Sequence, residues 1–173
     1  ASRAVNIGFL LFVGLSIIFS LFANFIYRYI APGFSDFQTQ EIAYLARVLF
    51  AAQGFFVVSY VMTGVLESRK RFLIPALAPL FYNLGIVIGT IFLAPHYGIL
   101  APALGGVIGA FSHFMIQLPF AYNLGFRFSL KLKPTKPVRK VARLALPRIL
   151  ELSILQLSKM AELFFSSLIS VAS

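Results

Sequence analysis

Five long apolar stretches, separated by short polar ones, decide what this chain can fold into. They run roughly over Val5–Ile30, Ile42–Leu66, Ile74–Ala94, Ile99–Leu124 and Ala145–Ala172. Each is long enough to cross the hydrocarbon core of a bilayer, which takes about 20 residues of helix. In lipid the backbone must satisfy its own hydrogen bonds, so spans of this length are helices. Composition agrees: 60% of the residues are apolar and 12% charged, against roughly a quarter charged in a soluble domain, and the mean hydropathy is +0.90. The expected fold is all-α, a polytopic transmembrane helical bundle. Four spans fall within 1–124, a basic amphipathic linker within 125–144 and a fifth helix within 145–173. Arg3 ahead of the first apolar run imitates a secretory signal, but that run is longer than the roughly 7–15 apolar residues of a signal core. The chain opens at Ala1 and closes at Ser173 within an apolar run, and we read it as a piece of a longer protein.

Charge orients the bundle. If successive helices cross alternately, one side receives Arg3, Arg69, Lys70, Arg71, Arg127, Lys131, Lys133, Lys136, Arg139, Lys140, Arg143 and Arg148, and the other receives Arg28 and Arg47. Such asymmetry places the basic loops in the cytoplasm. The formal net charge of +10 is thus topological, and no nucleic-acid partner is expected of a basic run pinned between two spans. Within that run, "FRFSLKLK" alternates from Phe126 to Lys133, as an extended piece along the headgroups would. Thr135 can then cap a short helix, with Val138, Val141, Ala142 and Ala145 on one face and Arg139, Lys140 and Arg143 on the other. With Arg148 these cations are candidates for lipid headgroup contact, each contributing about 1 kcal/mol of attraction. A solvated loop that only sets topology is the alternative.

Several polar and small residues have scaffold explanations. Gly85 and Gly89, and likewise Ala101, Gly105 and Gly109, recur every four residues, the spacing at which small side chains let membrane helices approach closely. His113 and Gln117 lie one turn apart and are expected to hydrogen-bond to another helix; a metal site would need further ligands. The chain has no cysteine, which excludes disulfides and thiolate metal sites. It shows no Ser–His–acid arrangement, carboxylate-rich metal box or phosphate loop, so no catalytic residue or metal site is expected, nor any cofactor. Asp36 and Glu41 are read as solvated residues of the loop after the first span.

The last segment departs from the rest. "LPRILELSILQLSKMAELFFSSLIS" carries Glu151, Lys159 and Glu162 where hydrocarbon is expected. On a helix Glu162 lies about 20° round from Glu151 and roughly 16 Å further along. Lys159 is an i,i+3 neighbour of Glu162 and within reach of an ion pair. Ser158 and Ser166 share the arc. Charges at membrane depth cost about 2.5–3.5 kcal/mol each on insertion scales and face a bundle interior or a wet cavity. Glu151, Gln156, Ser158, Lys159 and Glu162 are therefore candidates to line a transport cavity, with a neutralising ion pair inside a packed bundle as the alternative for Lys159 and Glu162.

The stretch "SRKRFLIPALAPLFYNLG" joins three cations to a segment with Pro75, Pro79 and Asn83. Extended to "RFLIPALAPLFYNLGIVIGTIFLAP", it resembles the signature region of the MurJ/MviN family of lipid II flippases, within the superfamily of multidrug and polysaccharide exporters. "GGVIGAFSHFMIQLP" is similar to that family's sixth helix, "LALPRILELSILQLS" (Pro147, Ser153, Gln156) to the start of its seventh, and "APGF" to the loop after its third. The resemblance covers essentially the whole chain, as helices three to seven of fourteen. It implies a multi-pass protein of the bacterial inner membrane that moves lipid-linked peptidoglycan precursor by alternating access, in service of cell-wall biogenesis and cell shape. It also implies as partners a lipid-linked oligosaccharide, membrane lipids and the remaining helices of the full-length chain. A monovalent cation or the membrane potential would drive the cycle. Glu162 aligns where many members carry Asp or Asn and is the cation-binding candidate, whereas Glu151 and Lys159 replace residues that are usually small or apolar. A polysaccharide or multidrug exporter of the same superfamily and a non-transporting scaffold remain alternatives.

Overall fold

The structure is a computed structural model that describes residues 2–127 and 136–172. Its elements are helices throughout: α1 (Ser2–Ile30), α2 (Asp36–Ser68), α3 (Leu73–Tyr97), a short 3-10 turn (Gly98–Leu100), α4 (Ala101–Asn123) and α5 (Lys136–Ala172). Among the described residues three stretches are long and apolar enough to cross a membrane: Asn6–Ile30, Asp36–Ser68 and Leu73–Asn123. The third holds both α3 and α4 in 51 residues, whereas a single crossing needs about 20. Five separate spans were expected. The described residues of α5 do not add a fourth such stretch.

Element boundaries also differ from the sequence expectation at two places. α2 begins at Asp36 rather than near Ile42, so Asp36 and Glu41 lie on its first turns. The cause is a capping box in "SDFQ". The Ser35 N–H donates to Gln38 Oε1 at 2.9 Å, and the Gln38 N–H donates back to Ser35 Oγ at 3.3 Å. At the other end, α5 starts at Lys136 and runs on past Pro147 as one helix of 37 residues, not as a short linker helix followed by a separate span. The alternating piece expected after Phe126 lies largely outside the described residues.

The chain divides into two compact units, Ala1–Ile18 with Leu45–Leu132, and Phe19–Tyr44 with Lys133–Ser173. The core of the first is a glycine seam between α3 and α4. A Cβ on Gly105 would sit 2.8 Å from the Ile86 carbonyl oxygen and 3.0 Å from that of Gly85, and one on Gly89 would sit 3.0 Å from the Gly105 nitrogen. Gly85 likewise lies against Gly109. The pairing of 85 with 109 and of 89 with 105 is antiparallel, so the chain doubles back at Gly98, where φ is +50°. Backbone-to-backbone approach of this kind gains dispersion contacts that larger side chains would prevent.

α2 covers this pair. Ala52, Phe56 and Ala110 form one buried cluster with Tyr82 and Val107 packed on it, and Met62, Ala121 and Phe126 form another. Phe12 of α1 stacks on Phe50 with ring centroids 5.6 Å apart. Large side chains such as Leu21, Phe25, Ile91 and Phe92 point outward, as expected of a surface that meets lipid. Asn83 is also exposed on α3. In the second unit Arg28 reaches Asp36 at 3.7 Å across the α1–α2 loop; both are largely exposed, so the pair contributes little stability.

Candidate functional site

Polar residues within the apolar helices gather in three places. The first is buried between α2 and α4. Ser59 Oγ and His113 Nδ1 share a hydrogen bond of 2.7 Å. The Gln117 side-chain N–H donates to Ser59 Oγ at 2.7 Å, and the Thr63 hydroxyl donates to Gln117 Oε1 at 2.8 Å. Ser59 and Gln117 are fully buried and His113 nearly so, with the Phe56 ring 4.9 Å from the imidazole. His113 and Gln117 thus bond to another helix, as their spacing predicted. Their partners were missed, yet the signal was present: Ser59 and Thr63 repeat on α2 the four-residue interval of His113 and Gln117 on α4. Among the described residues no group of His, Asp and Glu could hold a metal ion. A network in which every side chain has a partner positions helices.

The second place is a groove of about 600 Å³ where the end of α2, the start of α3 and the end of α4 meet. Leu66, Phe72, Leu73, Ile74, Phe120 and Leu124 make its apolar wall, and Lys70, Arg71 and Asn123 its polar edge. Both flanking helix ends close in the same way. At α2 the Arg71 N–H donates to the Leu66 carbonyl and the Lys70 N–H to that of Glu67, each at 2.9 Å. At α4 the Phe126 and Gly125 N–H groups donate to the carbonyls of Ala121 and Tyr122, each at 3.0 Å. This is the Schellman pattern, whose turning residue takes a left-handed conformation. Gly125 does so with φ +86°, but the corresponding residue of α2 is Lys70, with φ +57°. Among the described residues it is the one non-glycine with positive φ. A side chain in that conformation costs roughly 1–2 kcal/mol. α3 then starts at Leu73, and Phe72 before it offers no side-chain cap. The groove could not be foreseen from sequence, because it joins residues 66–74 to 120–124.

The third place is α5. Glu151, Gln156, Ser158, Lys159 and Glu162 are all exposed, and so are their apolar neighbours Ile154, Leu155 and Leu157. The Ser158 hydroxyl donates to the Ile154 carbonyl at 3.4 Å, and Ser153 to Ile149 at 2.8 Å, so these hydroxyls turn back onto their own helix. Lys159 and Glu162 are not joined by an ion pair within 4 Å. Arg143 is exposed; the side chains of Arg139, Lys140 and Arg148 lie outside the described residues. The structure therefore brings the α5 candidates onto one helix without enclosing them.

Comparison with known proteins gives this arrangement a family. The model of the family described as "Lipid II flippase MurJ" matches residues 2–173. The lipid II flippase MurJ of Burkholderia cenocepacia is 28% identical over 132 residues, covering 72% of this chain and 26% of that protein. The probable lipid II flippase MurJ of Treponema pallidum is 31% identical over 126 residues, 69% of this chain and 24% of that protein. That of Buchnera aphidicola from Acyrthosiphon pisum is 28% identical over 168 residues, 92% of this chain and 32% of that protein. The chain thus spans between about a quarter and a third of the length of these relatives. On the family match across nearly its whole length, this membrane chain belongs to the lipid II flippase MurJ family.

Proposed function

We propose that the chain is part of a transporter that carries lipid-linked peptidoglycan precursor across the bacterial inner membrane by alternating access, and that α5 contributes to its path. The chain crosses the membrane five times in this reading: through α1 and α2, twice through the doubled-back α3–α4 stretch, and through α5. Residues 1–124 belong to one lobe and α5 opens the second, with the basic loops in the cytoplasm. The first unit acts as a rigid body, its helices joined by the glycine seam and the buried Ser59–Thr63–His113–Gln117 network. Members of this family are named as flippases, so transport rather than catalysis is the activity assigned.

The observation that carries the reading is the exposed polar arc of α5, with Glu151, Lys159 and Glu162 on a helix otherwise rich in Leu and Ile. Charges at such depth are tolerated where a cavity hydrates them. The remaining helices of the longer protein would build that cavity. Glu162 would hold a monovalent cation or answer to the membrane potential as the lobes rock. Arg139, Lys140, Arg143 and Arg148 would hold the start of α5 at the anionic headgroups.

Glu162→Gln in the full-length protein tests this, since it removes charge and keeps shape. Precursor flipping in cells, or growth complementation, should fall at least tenfold while expression holds. A purely structural ion pair gives the opposite result: the double variant Glu162→Gln, Lys159→Leu then restores full activity, because a buried pair is replaced by neutral groups at little cost. Continued failure of a well-folded double variant supports the transport role. Orientation is tested separately. A cysteine at Ser35 should react with an impermeant thiol reagent in intact cells, and one at Ser68 should not.

A further inference from the structure

We propose that the groove between the ends of α2, α3 and α4 is a binding site for one anionic glycerophospholipid of the surrounding leaflet, with its phosphodiester at Lys70 and Arg71 and its acyl chains on the exposed Phe72, Leu73 and Phe120. Three features lead to this occupant. The wall is apolar and the edge cationic, with Asn123 as a further polar group and no carboxylate lining the groove. That division matches a lipid, apolar below the phosphate and anionic at it, and it matches neither a soluble anion nor a zwitterion equally well. Its position fits too, since the cations sit where two membrane-spanning stretches, Asp36–Ser68 and Leu73–Asn123, meet their polar connection. Among the described residues, neither Lys70 nor Arg71 has a side-chain hydrogen bond or ion pair within the protein.

The backbone supplies the third feature. Lys70 occupies the left-handed turning position at which α4 uses Gly125. Left-handed strain at a non-glycine residue persists where the side chain has a use. Here the turn carries Lys70, two residues past the last helical one, to the edge of the groove and puts a cation there. The site is separate from the transport path proposed for α5: it lies wholly within the first unit and would anchor that unit to the leaflet. Arg139, Lys140, Arg143 and Arg148 belong to a different segment, so the two sets of cations are testable apart.

The test uses the full-length protein in nanodiscs of phosphatidylcholine containing a trace of photoactivatable phosphatidylglycerol, with crosslinked peptides read by mass spectrometry. Crosslinks are expected on the peptides that carry Phe72 and Phe120, and photoactivatable phosphatidylcholine should give several-fold fewer. Lys70→Gly and Arg71→Gln should each lower the yield there roughly fivefold, the equivalent of about 1 kcal/mol per cation near a membrane surface. Lys70→Gly relieves the left-handed strain, so its melting temperature should equal or exceed that of the parent, which separates loss of binding from loss of fold. Equal crosslinking by the two lipids overturns the proposal, as does an undiminished yield in both variants. Competition by millimolar inorganic phosphate as effective as competition by phosphatidylglycerol also overturns it, since the site would then take a free anion. Should Arg71→Gln fail to fold, the lipid preference of the parent and the Lys70→Gly yield decide the matter alone.

Discussion

α4 and α5 are both membrane-family helices with polar residues in apolar surroundings, and they treat those residues in opposite ways. α4 has nine buried residues among its 23, most of them Gly or Ala, together with His113 and Gln117. Along α5 none of the described side chains is buried. Side-chain size explains the burial along α4. Gly85, Gly89, Gly105 and Gly109 let α3 and α4 meet backbone to backbone, and α2 closes over the pair, so a polar side chain on α4 has a partner within a few ångströms. α5 has no glycine in its 37 residues, and its Leu and Ile side chains form no such seam. On α4 a polar group in an apolar helix is structural because small residues bring a second helix to it.

The strongest way to break the comparison is to fill the seam. Gly109→Leu would drive a side chain into the backbone of Tyr82, whose carbonyl carbon already lies 3.1 Å from where a Cβ would stand. We expect a loss of about 3 kcal/mol, as for severe overpacking, read as a fall in thermal stability and expression of the full-length protein. A tolerated Gly109→Leu would mean that the seam does not hold α3 to α4.

Gln117→Leu tests the polar half of the contrast. It strands the Thr63 hydroxyl and removes a donor from Ser59, and should cost about 1–2 kcal/mol, less than in a soluble core because polar groups in a membrane also find partners when unfolded. A denaturant titration of the purified protein measures it. No change would show that the network is dispensable and that α4 resembles α5 more than its burial suggests.

A smaller effect is expected at the end of α4. Gly125→Ala places a Cβ at φ +86° and should cost about 1 kcal/mol. The paired change Lys70→Gly should have the opposite sign, and equal signs in melting temperature would refute the shared capping pattern. Smallest of all is Leu157→Ala on α5 of the 173-residue chain, where the side chain is 62% exposed. A shift within about 0.5 kcal/mol is expected there, as for surface positions. The same substitution in the full-length protein should cost more, since the proposed function gives α5 neighbours among the other helices. Equal, small effects in both would leave α5 facing lipid alone.

The order of the helices, their all-α character and the close approach of α3 and α4 were legible in the sequence because each rests on local or strictly periodic information. An apolar run long enough to cross a bilayer can only be helix, and glycines every fourth residue lie on one face whatever surrounds them. The four-residue spacing of His113 and Gln117 likewise announced an interhelical hydrogen bond. Boundaries were less legible. The capping box at Ser35 and Gln38 extended α2 outward through Asp36 and Glu41, residues whose charge alone suggested loop. The helix from Lys136 ran through a stretch that composition had divided into linker and span.

What the tertiary structure alone decided is which residues far apart in the chain share a place. Ser59 and Thr63 share the four-residue interval of His113 and Gln117, but become their partners only when α2 lies on α4. Lys70 and Arg71 read as topological charge until Phe120 and Asn123 arrive beside them and make a groove. Helix formation is set by short-range hydrogen bonds and by the solvent a segment must face, and both are written locally. The pairing of one helix face with another depends on the shapes of two surfaces at once, and neither sequence segment contains the other.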